Sequence, residues 1–304
     1  MEKISYKGWK NCYRLKNDQV ELIITGDVGP RIIHFGFIGD WNEFCEFPDM
    51  LGKTGGDEWR IYGGHRLWHA PEAQPRTYFP DNEPVSVELN DPIVQVVQPT
   101  ETTTGIQKEM DIYLDPDGAH VRITHRLINN GLWGVELAPW ALSVMAPGGK
   151  VIIPLPPRGS HTDGDLLPAN LLTLWSYTNL ADPRWYFGRK YIMLRQDPSL
   201  EEAQKIGVLV PDGWAAYANR SHLFVKTFNF MSEALYPDFG CSVETFTNAD
   251  FIELETLGPL SWLEPGEMVE HEEDWFLFKG VPLPKSDSDI DRDILPKVQT
   301  IEVY

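Results

Sequence analysis

The chain has 304 residues, 42% of them hydrophobic, and its 45 acidic against 26 basic side chains leave a formal net charge of −19. Such a surface repels nucleic-acid backbones and anionic membranes, and no basic stripe offsets it. Cys12, Cys45 and Cys241 are scattered and form no CxxC pair, which argues against a thiolate zinc site or a disulfide framework and points to a reducing cytoplasm.

The N-terminal residues lack an apolar stretch of the secretory type, and the longest apolar region, 137–156, is broken by prolines and a Gly pair. No membrane span is expected. The pattern along the chain is mostly β. Residues 20–25 and 31–37 are short β-rich runs joined by the turn-rich link 26–30. Residues 85–89 and 93–97 repeat that pattern across Asn90-Asp-Pro. Residues 106–114 and 120–128 flank Asp115-Pro-Asp-Gly118 as a hairpin. On its second strand Val121, Ile123, His125 and Leu127 share a face, so His125 reads as a core or edge histidine. Residues 199–205 are the best short helix candidate. Many short strands with turns between them predict a β-sandwich or barrel.

Residues 61–72 carry two histidines, an arginine, a tryptophan, a glutamate and the pair Gly63-Gly64. The glycines permit a turn or a close approach, and Pro71 ends any regular element. The stretch reads as a loop or strand end presenting polar groups. His65 can move a proton near neutral pH, Arg66 can fork onto oxygens and Trp68 offers a flat apolar face. That set suits a sugar. The alternative is a wet turn in which the histidines and arginine cap strand ends.

Further along, His161 sits in the loop 154–164 and Trp185 in the polar-aromatic loop 182–190. Lys226 lies in an aromatic row with Phe224 and Phe228, where it either snorkels or points into a site. Glu244 is a similar case. Residues 251–257 alternate as a strand that places Glu253 and Glu255 on one face, about 6.6–6.8 Å apart. Two close carboxylates raise the pKa of one and favour proton transfer, or else they mark an ordinary wet face. The stretch 282–296 is polar and reads as a solvated segment or loose tail.

The run Glu253-Leu-Glu-Thr-Leu-Gly-Pro-Leu260, the turn Leu263-Glu-Pro-Gly-Glu267 and the aromatic strand ending at Phe278 resemble the C-terminal signature of the galactose mutarotase (aldose 1-epimerase) superfamily. Residues 26–33 resemble that family's N-terminal glycine-containing hairpin, Gly63-Gly64-His65-Arg66 its first sugar-contacting loop, and Asn129-Asn130-Gly131 its link after a hairpin strand. The likeness spans most of residues 10–280. It implies an all-β fold, a large antiparallel β-sandwich that holds a sugar in a concave sheet face, over residues 1–280, with 281–304 as a polar C-terminal segment. It also implies Glu255 as the catalytic base. The family's second catalytic histidine is absent from residues 137–145, so the acid is expected from His65 or His69. Arg66, Trp68, Glu72, His161, Trp185, Lys226 and Glu244 are the expected substrate contacts.

The reading is therefore a carbohydrate-active protein that acts on or binds a monosaccharide or its derivative, with no cofactor and no metal-ligand spacing. One alternative is a sugar-binding or regulatory module without turnover. Another is a glycoside hydrolase or lyase role for Glu253 and Glu255, although neighbours on one strand are ill placed to flank a scissile bond. Sugar identity and oligomeric state are not legible in the residues.

Overall fold

The computed structural model describes residues 1–301, and their strands form one eleven-stranded and one ten-stranded sheet, antiparallel throughout. The expected sandwich is what is observed. The first sheet runs in the order Glu2–Tyr6, Trp9–Lys16, Val20–Thr25, Arg31–Phe37, Gly64–Ala70, Val135–Met145, Ile252–Leu257, Val243–Thr247, Gln204–Val208 and Leu172–Leu174, with Ser261–Leu263 paired onto Val135–Met145. The second runs Trp185–Phe187, Tyr191–Arg195, Lys150–Pro154, Trp214–Asn219, His222–Phe228, Met268–Lys279, His120–Asn129, Ile106–Leu114, Ile93–Val97 and Ser86–Asn90. The hairpin expected around residues 115–118 forms with the register Ile112↔Ile123 and Met110↔His125.

Alternation along each strand divides the chemistry between two faces. Leu67, Met145, Leu254, Ile206 and Val243 point between the sheets and meet Ile123, Trp275 and Phe224 in the main core. The C-terminal segment covers one part of the outer face of the second sheet, over the strands from Tyr191–Arg195 to His222–Phe228. There Ile290 and Ile294 are fully buried with Val281 against a layer that includes Trp214 and Tyr191. Ser286 caps the helix Asp287–Asp293 by accepting from the Asp289 amide, and a second short helix spans Leu295–Val298. The described part of 281–304 is thus a docked element rather than a loose tail, because two isoleucines four residues apart make one apolar stripe. Residues 302–304 lie outside the described residues. Residues 199–205 form no helix either: Gln204–Val208 is a strand, paired to Val243–Thr247 on one side and Leu172–Leu174 on the other.

The stretch 61–72 contains a buried strand, Gly64–Ala70, in the middle of the first sheet. Its glycines permit a close approach of backbones. Gly63 has φ 101° and Gly64 φ 72°, and a Cβ on Gly64 would stand 2.3 Å from the Ile32 carbonyl oxygen. Arg31, fully buried, braces the entry. Its Nη1 donates to the carbonyls of Ile61 (3.0 Å) and Gly63 (2.5 Å), and its Nη2 to Asp81 (2.6 Å). Gly64→Ala should therefore lose about 2–4 kcal/mol, from the left-handed backbone and from the clash together, read as a fall in the urea midpoint. An unchanged midpoint would refute this account of the glycine pair.

Candidate functional site

The outer face of the first sheet is open around a cavity of 410 Å³, within the usual range for small-molecule sites. Arg66 and Trp68 reach it from Gly64–Ala70, Trp140 and Leu142 from Val135–Met145, Glu253 from Ile252–Leu257 and Lys205 from Gln204–Val208. Loops add Trp59, Glu72, Tyr78, Trp175 and Tyr177. Trp59, Trp175 and Tyr177 keep solvent exposure, whereas Trp68 and Trp140 are buried.

Both cations of the cavity lie over indole rings. The Arg66 guanidinium is 4.6 Å from the Trp68 ring centre and 5.7 Å from that of Trp59. Lys205 Nζ is 4.5 Å from Trp140 and 4.8 Å from Trp175. Arg66 Nη2 donates to Glu253 at 3.0 Å, while its Nε and Nη1 are buried without a partner. Lys205 stands between Glu244 (2.8 Å) and Glu255 (3.3 Å), and Trp140 Nε1 donates to Glu255 at 2.8 Å. Cross-strand register explains the cluster, since Glu255 lies opposite Glu244 and Phe246 opposite both Glu253 and Lys205.

Burial raises the Glu255 carboxyl to about 7, with Lys205 pulling the other way and Glu253 adding to the rise. Burial also pushes Glu244 well above the ordinary carboxylate range. Burial works against the charge on Lys205, but the two glutamates outweigh it and hold its pKa well above the usual value. One lysine cannot neutralise two buried carboxylates, so this trio holds an extra proton up to about neutral pH.

The expected site residues divide sharply. Arg66, Trp68 and Glu72 line the cavity, with Glu244 and Glu255 beneath it; Glu255 is 0% exposed, sealed under Lys205 and Trp140. His65 and His69 do not belong with them. On strand Gly64–Ala70 they alternate with Arg66 and Trp68 and so point between the sheets. His65 is fully buried, with Nδ1 2.9 Å from the Ser143 hydroxyl and Nε2 2.7 Å from His125 Nε2. Burial holds its pKa well below the ordinary range. Lys226 is also a core group rather than a substrate contact, paired with Glu273 at 2.8 Å between the sheets. His161 lies on an exposed turn. Trp185 sits on the edge strand of the second sheet, its Nε1 donating to Gln204 at 3.2 Å. Neither lines the cavity.

His65, His125 and Glu273 offer ligand-type atoms within 4.8 Å of one another. The 2.7 Å His65–His125 separation is a hydrogen bond, and Glu273 already holds Lys226 and Trp275, so a metal there would have to displace these partners. Lys205, which organises the carboxylates, is not among the expected site residues, because the expected helix over 199–205 hides its place on strand Gln204–Val208. The apolar run Ile206–Val210 that follows it was the available strand signal.

No family model matches the chain, and no curated protein matches it in sequence. Solved structures do. A galactose mutarotase-like protein from Lactobacillus casei aligns with a TM-score of 0.56 at 10% identity, over 88% of this chain and 100% of its own. A proposed aldose 1-epimerase from Klebsiella pneumoniae aligns at 0.60 and 12% identity, over 97% of this chain and 86% of its own. A TPR-domain containing protein from Parabacteroides distasonis aligns at 0.60 and 16% identity; 96% of this chain is covered, but only 48% of that one. With two large antiparallel sheets in this arrangement, the chain has the galactose mutarotase-like fold.

Proposed function

We propose that the chain binds a monosaccharide or a monosaccharide derivative in the cavity on the outer face of the first sheet. The observation that carries this reading is Arg66. Two of its donor nitrogens, Nε and Nη1, are buried, unpartnered and set in an aromatic wall beside Glu253. A buried unsatisfied donor costs about 1–3 kcal/mol, which a ligand oxygen would recover. Sugar hydroxyls match this wall because they accept from Arg66 and donate to Glu253 and Glu72. The apolar faces of the ring meet Trp59, Trp175 and Tyr177.

Binding without turnover fits the geometry better than anomer interconversion. No histidine among the described residues lines the cavity, and Glu255 is covered by Lys205 and Trp140. One observation favours the catalytic reading as second: a carboxyl with a pKa of about 7 is well matched to proton transfer at neutral pH. In that case Lys205 and Trp140 would swing aside, Glu255 would take the anomeric hydroxyl proton, the bond from the anomeric carbon to the ring oxygen would break, and the ring oxygen would take a proton from water.

Both readings are tested by saturation-transfer NMR on a panel of aldoses. Arg66→Met should weaken sugar binding about tenfold or more, whichever reading holds. Anomer exchange should stay at the buffer rate in wild type. Exchange above that rate, lost in Glu255→Gln, would establish the mutarotase reading instead. Absence of any saturable sugar binding would refute both.

A further inference from the structure

Arg76 is an unusual cation for so acidic a chain. It is half-buried, yet it forms no ion pair with any carboxylate among the described residues. Its Nη1 donates to His69 Nδ1 at 2.9 Å and its Nη2 to the Pro71 carbonyl. Arginine can only donate, so His69 Nδ1 is the acceptor and the neutral ring carries its proton on Nε2. That Nε2–H is buried and faces the Glu101 carboxylate, whose nearer oxygen is 3.8 Å away. Glu101 is itself held by Lys108 at 2.6 Å and by the Thr104 hydroxyl at 2.5 Å. Lys108 thus cancels Glu101, and the charge on Arg76 is left over. Burial lowers the Arg76 pKa with no acidic neighbour to offset it.

Arg76 and His69 line a second cavity of 390 Å³, on the opposite side of strand Gly64–Ala70 from Arg66 and Trp68. Its other walls are largely apolar, from Pro75, Ile106, Val135 and Leu137. A lone cation at the edge of an apolar cavity calls for a monoanion with an apolar body. A phosphate dianion would leave one charge uncompensated against those walls, and a neutral alcohol would leave Arg76 unpaired.

We propose that this cavity is a binding site for a small monocarboxylate with a short aliphatic tail. The carboxylate lies on Arg76, which His69 holds in place, and the tail on Ile106, Val135 and Leu137. The site is independent of the sugar reading, since it uses none of the same side chains.

Isothermal titration of the full chain with valerate tests it, with 1-pentanol and inorganic phosphate as comparisons. Saturable valerate binding is expected, with pentanol and phosphate weaker. Arg76→Gln should weaken valerate about tenfold or more. Thr103→Trp, at an exposed position on the cavity wall, should block it without touching the buried hydrogen bonds. Valerate that fails to saturate, is matched by pentanol or phosphate, or binds a folded Thr103→Trp protein undiminished would overturn the proposal.

Discussion

Replacing Lys226 with methionine should cost about 3–5 kcal/mol of stability, the scale for stranding one partner of a buried ion pair. Lys226 and Glu273 meet at 2.8 Å with both side chains fully buried. Glu273 also accepts from Trp275 Nε1 at 2.8 Å and from the Thr256 hydroxyl, so its carboxylate is built into the core. With Lys226 in place, burial and the lysine's own charge keep His65 and His125 below their ordinary pKa and hold His271 down to about 3, so in wild type the surrounding imidazoles are neutral near pH 7 and Lys226 alone balances Glu273. Methionine fills much of the volume but leaves the carboxylate without a counter-charge. The double variant Lys226→Met/Glu273→Leu should recover most of the loss, because two apolar groups of similar shape can stand in for a buried pair. Urea midpoints at pH 7 read both effects. A single variant within about 1 kcal/mol of wild type would show that the pair is not held as described.

Lys205→Met should destabilise strongly at pH 8 and far less at pH 5. Lys205 is the only cation in contact with the buried carboxylates of Glu244 and Glu255 among the described residues. In wild type the Glu255 carboxyl rises from 4.5 to about 7 on folding, so the folded state binds that proton more tightly. The associated stabilisation is full below about pH 4.5 and is lost as pH rises through 7. It amounts to about 3 kcal/mol, shared across the coupled trio. Removing the lysine pushes both carboxyls further up and carries the loss into the alkaline range. Glu255→Gln should flatten the wild-type slope between pH 5 and 8. A penalty for Lys205→Met that is the same at both pH values would sink this account of the trio.

Much of the architecture could be read from period-two alternation. The hairpin around residues 115–118 and the strand Ile252–Leu257 declared themselves, and with them the shared face of Glu253 and Glu255. The same rule, applied to residues 64–70, separates His65 and His69 from Arg66 and Trp68. The Gly pair and Pro71 at its two ends disguised that stretch as a loop. The C-terminal helix was hidden in another way: Ile290 and Ile294 mark a stripe, and Ser286 a cap, but the run of aspartates around them dominated the reading. What no local rule reaches is the partner list. Lys205 lies 50 residues from Glu255, Lys226 47 from Glu273 and His65 60 from His125. Each pairing depends on strand order, which alternation does not encode.

Strand Gly64–Ala70 carries two chemistries back to back, with Arg66 and Trp68 towards one cavity and His65 and His69 towards the interior and the other. Substitutions there can be absorbed one side chain at a time. An insertion or deletion cannot, because a shift of one residue exchanges the two faces wholesale. It would drive the guanidinium of Arg66 into the apolar layer and expose both imidazoles in the same event. This segment should therefore vary in residue type but not in length among natural variants that keep the fold.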